Sequence, residues 1–299
     1  MKSYDLIIIG AGPAGLTAAL YAARYKMNVL VLGQIPGGTA ITAFEVPNYP
    51  AIENISGVEL MKKMIEQVKK LGVEIKNYEV KEIKKKKDFE VVTTKENYFS
   101  KKIVFATGEE KRKLGIAREK ELTGKGISYC ATCDAGFYKD KTVAVYGGGN
   151  SALTSALLLS KYAKKVYIIY RREKFFRADE SWVEEADKNK KIEFLFDSKI
   201  SELVGKEKLE GIEINGKDKL KVDGLFIEIG GAPNTSLVVG LGVKLERGEI
   251  IVDKFQKTNV DGFFAAGDVT NNPLKQIITA CGEGAIAAYS AHGKKDVDY

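Results

Sequence analysis

Leu6-Ile7-Ile8-Ile9-Gly10-Ala11-Gly12-Pro13-Ala14-Gly15, "LIIIGAGPAG", joins an unbroken apolar run to three closely spaced glycines. A short apolar run stopping at glycines spaced G-x-G-x-x-G, with "LTAALYAARYK" behind it, reads as a strand, a tight turn and a helix. "NVLVLG" follows as a second strand, so residues 4–33 form one β-α-β unit. Residues 141–170 repeat the device: strand "KTVAVYG", turn "GGN", helix "SALTSALLLSKYA", strand "KKVYIIY". This second turn carries G-x-G-x-x-A at Gly147, Gly149 and Ala152.

Small residues at these positions have separate uses. The first glycine makes the turn, the second lets a pyrophosphate approach the backbone, and the third allows helix and strand to pack closely. The helix start then turns free N–H groups and a positive dipole end toward the phosphate. Two such turns imply two dinucleotides, and hence electron transfer between them. An acidic residue at the end of the second strand would bind a ribose hydroxyl. The first unit ends Leu32-Gly33-Gln34 without one, so its ribose contacts must come from elsewhere. The second ends Tyr170-Arg171-Arg172 with Arg177 close behind. Forked, permanently charged guanidiniums suit a 2′-phosphate, which points to NADPH over NADH.

Near the C-terminus, "NVDGFFAAGDVTN" (259–271) places Asp268 at the end of an apolar strand. The next helix starts at Gln276 and runs over Ala280, Gly282, Gly284 and Ala285. That spacing suggests a helix packed against a ligand whose polyol chain Asp268 binds.

The composition sets the class. Across 299 residues, 44% hydrophobic and 29% charged describe a globular chain long enough for two domains. The net charge of +7 arises from 47 Lys+Arg against 40 Asp+Glu, with Lys84-Lys85-Lys86-Lys87 read as a solvated turn between strands. No basic stripe interleaved with aromatics is present, so nucleic acid is not expected, and a mild attraction to acidic protein partners is. The opening "MKSYDLIIIG" has no cleavage site, and the uncharged run from Leu6 to Ala23 is broken by glycines and Pro13. We therefore expect neither signal peptide nor membrane span, and a cytoplasmic protein.

"SYCATCD", residues 128–134, brings two cysteines three apart. A structural zinc site needs four ligands, and beyond this pair only Cys281 and His292 are available, so no metal is expected. Covalent haem wants a histidine where Asp134 stands. A redox pair fits better than an inert one: at a helix start, cysteines at this spacing come within disulfide range, and the helix end favours the thiolate. Opening a disulfide also needs a proton donor. His292 reads as part of a surface tail, "SAHGKK", which leaves Asp134, an acid that burial would have to keep protonated. Cys281 reads as a packed core cysteine.

In combination, "GAGPAGLTAALYAAR", "VPNYP", "VFATG", "SYCATCD", "GGGNSAL", "YRREKFFRA", "IGGAPNT" and "FAAGDV" resemble the low-molecular-weight, bacterial- and archaeal-type thioredoxin reductases over nearly the whole chain. The resemblance implies an α/β fold of two Rossmann-like (FAD/NAD(P)-binding) three-layer domains, the second inserted in the first. Residues 1–114 and 243–299 would bind FAD; residues 115–242 would bind NADPH and carry the redox CxxC. By position, FAD contacts fall on Gly10, Gly12, Pro13, Ala14 and Gly15, then on Gly33, Gln34, Gly38, Thr39, Asn48 and Val80. Others fall on Ala106, Thr107, Gly108, Gly267, Asp268, Gln276 and Ile277. NADPH contacts fall on Gly147, Gly149, Asn150, Ser151, Arg171, Arg172 and Arg177.

The resemblance further implies that Cys133 faces the flavin while Cys130 attacks the disulfide of thioredoxin or a similar small protein, with Asp134 as proton donor. It implies a homodimer, and rotation of the middle domain about crossings near Arg112–Gly115 and Gly240–Gly242. Some positions depart from the family pattern. Tyr170 stands for a histidine, Arg177 comes one residue late, Thr154 and Ser155 replace glutamate, and Gly37-Gly38-Thr39 replaces "GGQ". Relatives of this fold that take electrons from ferredoxin supply the alternative donor.

Overall fold

The computed structural model describes residues 2–293. The chain divides into two compact units, Met1–Glu110 with Ala232–Tyr299, and Lys111–Gly231.

In the first unit, five parallel strands lie in the order Phe263–Ala265, Ile103–Phe105, Leu6–Ile9, Val29–Leu32, Glu74–Lys76. Side chains alternate across a strand, so Leu6 and Ile8 enter one core and Ile7 and Ile9 the other. The first core is closed by the helices Pro13–Arg24, Gly57–Lys70 and Ile277–His292. The second is closed by Ile83, Phe89, Val91 and Tyr98 from a separate sheet. Burial on both faces explains why the parallel strands read as unbroken apolar runs. Tyr4 is not part of the first parallel strand, as the sequence suggested. Lys2–Tyr4 forms its own strand beside Asn97–Ser100, and Asp5 separates it from Leu6.

The second unit repeats the layering. Its parallel strands run Ile127–Ser128, Gly224–Ile227, Thr142–Tyr146, Lys165–Ile169, Ile192–Leu195. The antiparallel strands Ile200–Val204, Gly211–Ile214 and Asp218–Leu220 cover one face, packing on Ala144, Ile169, Leu225 and Ile227. The helix Asn150–Ser160 follows the second glycine turn.

The crossings between units form a pair of short strands, Glu109–Lys111 and Gly231–Pro233. The second division thus falls before Ala232, whereas the family pattern placed it before Val243. The reason is packing: in the segment Ser236–Leu241, Val238 is fully buried in the core with Ile7, Leu30 and Phe263.

Candidate functional site

Both units reverse strand order at the same place. In the first, the chain leaves Leu6–Ile9 toward Val29–Leu32 and later returns on the opposite side as Ile103–Phe105. In the second, Thr142–Tyr146 lies between Lys165–Ile169 and Gly224–Ile227. Ligands of open α/β sheets bind in the crevice at such a switch point, beyond the carboxyl ends of the strands.

The glycines fit that crevice. Gly10 has φ 115°, and a Cβ there would overlap the carbonyl of Ala106 on the returning strand. Gly147 stands in the same relation to the carbonyl of Glu228. The second glycine of each turn faces space instead. A Cβ on Gly12 would meet only the Cα of Gly38, at 3.9 Å, and one on Gly149 would meet nothing within 4 Å. Neither Gly12 nor Gly149, the N-cap positions of their helices, supplies a capping side chain. Each helix start therefore offers uncapped N–H donors beside an open backbone, which suits a pyrophosphate.

Around the first turn, Thr107 donates to the carbonyl of Asn234 at 2.9 Å, and Asn48 donates to Gln276 at 3.0 Å. Glu283 accepts from the N–H of Gly267 at 2.6 Å and fixes the turn that presents Asp268. Burial pushes the Asp268 carboxyl above its ordinary range, against the nearby charge of Lys275. Ala14, Pro13, Gly15, Ala106, Gly108 and Ile277 lie on the same strand ends and helix starts. Gly38 and Thr39 occupy a short 3-10 helix, and Val80 begins the strand Val80–Lys85.

A cavity of about 360 Å³ lies past Glu74–Lys76, lined by Pro36, Ile65, Lys69, Ile75, Lys76, Asn77 and Tyr78. Gly33 donates to the carbonyl of Lys76 at 3.1 Å, which sets the cavity beside the end of the second strand. Within the small-residue stripe, Gly284 faces another helix. A Cβ on Gly284 would overlap the carbonyl of Ala14, so that glycine lets two helices pack backbone to backbone. His292 is corrected too. It ends the helix Ile277–His292 with its ring 4.8 Å from that of Tyr25, rather than lying in a tail; Lys294 and Lys295 fall outside the described residues.

In the second unit, Tyr170 and the loop that follows it pack together. The ring of Tyr170 occupies the space where a Cβ on Gly148 would sit, and it stacks on Phe175 at 5.7 Å and 16°. Phe175 also meets Phe194 and Phe196 edge-on, at 5.3 and 5.1 Å. Phe175, half-buried, therefore anchors the loop between Arg172 and Arg177 to the sheet. Arg171, Arg172 and Arg177 remain exposed, with Arg172 over the Phe176 ring at 5.0 Å. Ser151 is exposed at the helix start. Ser155 donates to Glu228 at 3.1 Å. Glu228 is buried and pairs with Lys111 at 2.5 Å. Burial raises its carboxyl above the usual range, opposed by Lys111 and Ser155.

Cys130 and Cys133 form a disulfide, their Cα atoms 5.3 Å apart. They stand on a single helical turn, Ala131–Asp134, with Cys130 as its N-cap. The N–H of Cys133 points at Cys130 Sγ at 3.2 Å, and that of Cys130 at Ser128 Oγ at 3.0 Å. Cys133 is exposed; Cys130 and Asp134 are half-buried. Cys281 is buried and reduced.

The turn is braced from behind. Tyr129 donates to Glu119, which also accepts the N–H groups of Leu114 and Gly115 at 2.7 and 2.8 Å. Burial disfavours the Glu119 charge, yet these bonds and Lys113 outweigh it and hold the carboxyl below its usual range. A depressed carboxyl contributes stability that is complete above the ordinary glutamate pKa and is lost as pH falls through the folded value. Glu119→Ala is therefore expected to cost roughly 1–3 kcal/mol near neutrality, measured by urea unfolding, with the gap to wild type closing under acid conditions.

The sequence profile of the pyridine nucleotide-disulphide oxidoreductases matches residues 4–284. The chain belongs to that family. A thioredoxin reductase from Listeria monocytogenes serovar 1/2a is 42% identical over 97% of this chain and 93% of its own length. The crystal structure of Lactococcus lactis thioredoxin reductase (FR conformation) matches with a TM-score of 0.94 at 40% identity, covering 97% and 98% of the two chains. A ferredoxin-flavin thioredoxin reductase from Clostridium acetobutylicum gives 0.54 at 34% identity, each chain covered to 98%. Within its family the chain is a member of the thioredoxin reductases, a disulfide oxidoreductase with two Rossmann-type units.

Proposed function

We propose that the protein is an NADPH-dependent thioredoxin-disulfide reductase, with FAD held by the unit made of the two chain ends and NADPH by the middle one. FAD when bound supplies a carrier that can accept a hydride and hand on an electron pair to a disulfide. The observation that carries the reading is the Cys130–Cys133 disulfide on the unit that also bears the second glycine turn and the arginine loop.

In the first unit, the N–H groups after Gly12 would hold the pyrophosphate, Asp268 the polyol chain, and the cavity beside Gly33 the adenosine end. In the second, Gly149, Asn150 and Ser151 would hold the pyrophosphate, and Arg171, Arg172 and Arg177 the 2′-phosphate. Reduced, the pair provides a thiolate at Cys130 to attack a disulfide of thioredoxin; Cys133 then displaces the mixed disulfide and the pair closes again. Asp134 delivers the proton to the departing sulfur. Asp134→Asn is expected to slow protein-disulfide reduction about 10²-fold, read as thiol release under single turnover, with disulfide formation in the variant unchanged.

The intact glycine turn and the arginine loop support NADPH over reduced ferredoxin. Anaerobic addition of NADPH to the flavin-loaded protein should bleach the visible flavin absorbance within the time of turnover. Bleaching by reduced ferredoxin but not by NADPH would overturn the donor. A homodimer and a cytoplasmic location belong to the same proposal. Among the described residues, no helix is long and apolar enough to cross a membrane.

A further inference from the structure

Arg171, Arg172 and Arg177 can select a 2′-phosphate only if the loop that carries them keeps its shape. Its first part is secured by the sheet. Arg172 accepts from the N–H of Asp197 at 3.1 Å, Tyr170 accepts from Ser198 at 3.0 Å, and Phe175 is stacked beneath. Past Phe176 no strand or helix supports the chain until Glu180–Asp187. Arg177 lies in that unsupported stretch.

One contact closes it. Asn150, the first residue of the helix after the glycine turn, donates from Nδ2 to Asp179 Oδ2 at 2.8 Å. Its Oδ1 accepts the N–H of Asp179 at 2.7 Å. The two bonds join residues 29 apart and fasten the far end of the arginine loop to the helix start where the pyrophosphate would sit. We propose that Asp179 is a positioning residue for choice of nicotinamide nucleotide: through Asn150 it holds the loop so that Arg177 faces the same phosphate as Arg171 and Arg172.

Asp179 is the N-cap of Glu180–Asp187, but its side chain makes no bond to that helix's first turn. Loss of the carboxylate leaves one of the two bonds and frees the loop end, while the glycine turn stays as it is. Binding of the part shared by NADP⁺ and NAD⁺ is then spared, and binding of the 2′-phosphate is not. The inference rests on the NADPH reading, and the test separates the two.

Dissociation constants for NADP⁺ and for NAD⁺ are measured by calorimetry on the flavin-loaded protein, wild type, Asp179→Ala and Asp179→Asn. Asp179→Ala is expected to weaken NADP⁺ about tenfold, the loss of one charge-assisted bond, and to leave NAD⁺ within about twofold. Asp179→Asn keeps an acceptor for Asn150 Nδ2 and is expected to recover NADP⁺ binding. Equal weakening of both nucleotides, or none in Asp179→Ala, overturns the positioning role while wild type still prefers NADP⁺. A wild type without that preference overturns the donor reading, and the role of Asp179 with it.

Discussion

Cys130→Ser is expected to lower thioredoxin reduction by at least ~10³-fold, because it removes the thiolate to which the proposed path assigns the attack. The fold should be unaffected. Cys130 is half-buried on a one-turn helix, and a serine oxygen can still cap it by accepting the N–H of Cys133. Flavin binding should persist, since the glycine turn beside Ala106 lies in the other unit. Reduction of the flavin by NADPH should also continue, so the variant would consume NADPH with oxygen but release no thiols from thioredoxin. The complementary change, Cys133→Ser, would leave Cys130 without the partner that the proposed path uses to resolve the mixed disulfide. It should therefore accumulate a stable mixed disulfide with thioredoxin. Retained thiol release by Cys130→Ser would show that electrons leave the protein elsewhere.

The second large effect separates folding from cofactor binding at one turn. Gly10→Ala puts a Cβ into the Ala106 carbonyl at a φ of 115°. Overpacking and the left-handed backbone together cost on the order of 2–5 kcal/mol, a large share of a domain's stability. Gly12→Ala meets only Gly38, at 3.9 Å, so the fold should tolerate it while the pyrophosphate loses its close approach to the backbone. Thermal unfolding followed by circular dichroism, with flavin retention on gel filtration, distinguishes the outcomes: Gly10→Ala is expected to lower the unfolding temperature sharply, and Gly12→Ala to keep it and shed flavin. A Gly12→Ala protein that retains its flavin would remove the pyrophosphate from this turn.

Much of the site could be read along the chain because its signals are local. A glycine turn, its strand and its helix fall within about thirty residues, and two cysteines three apart need only one helical turn to meet. The alternation of Leu6, Ile7, Ile8 and Ile9 between two cores follows from strand geometry alone. What escaped was long-range. Glu228 reaches Ser155 and Lys111 across separations of 73 and 117 residues, and only the strand order brings them together. The stacking of Phe175 on Tyr170 in the loop that leads to Arg177 is likewise a pairing that no helix or strand period encodes. The small residues of the last helix signalled close packing correctly, but spacing alone does not say whether the neighbour is a ligand or, as at Gly284, the backbone of Ala14.

The proposed function is a single electron path from NADPH through bound FAD and Cys130–Cys133 to thioredoxin. The direct measurement is anaerobic turnover of the purified protein with NADPH and oxidised thioredoxin, following NADPH absorbance and thioredoxin thiols together. The path predicts one NADPH oxidised for each thioredoxin disulfide opened, with neither change occurring when either reactant is left out. NADPH oxidation that leaves thioredoxin in its disulfide form would contradict it.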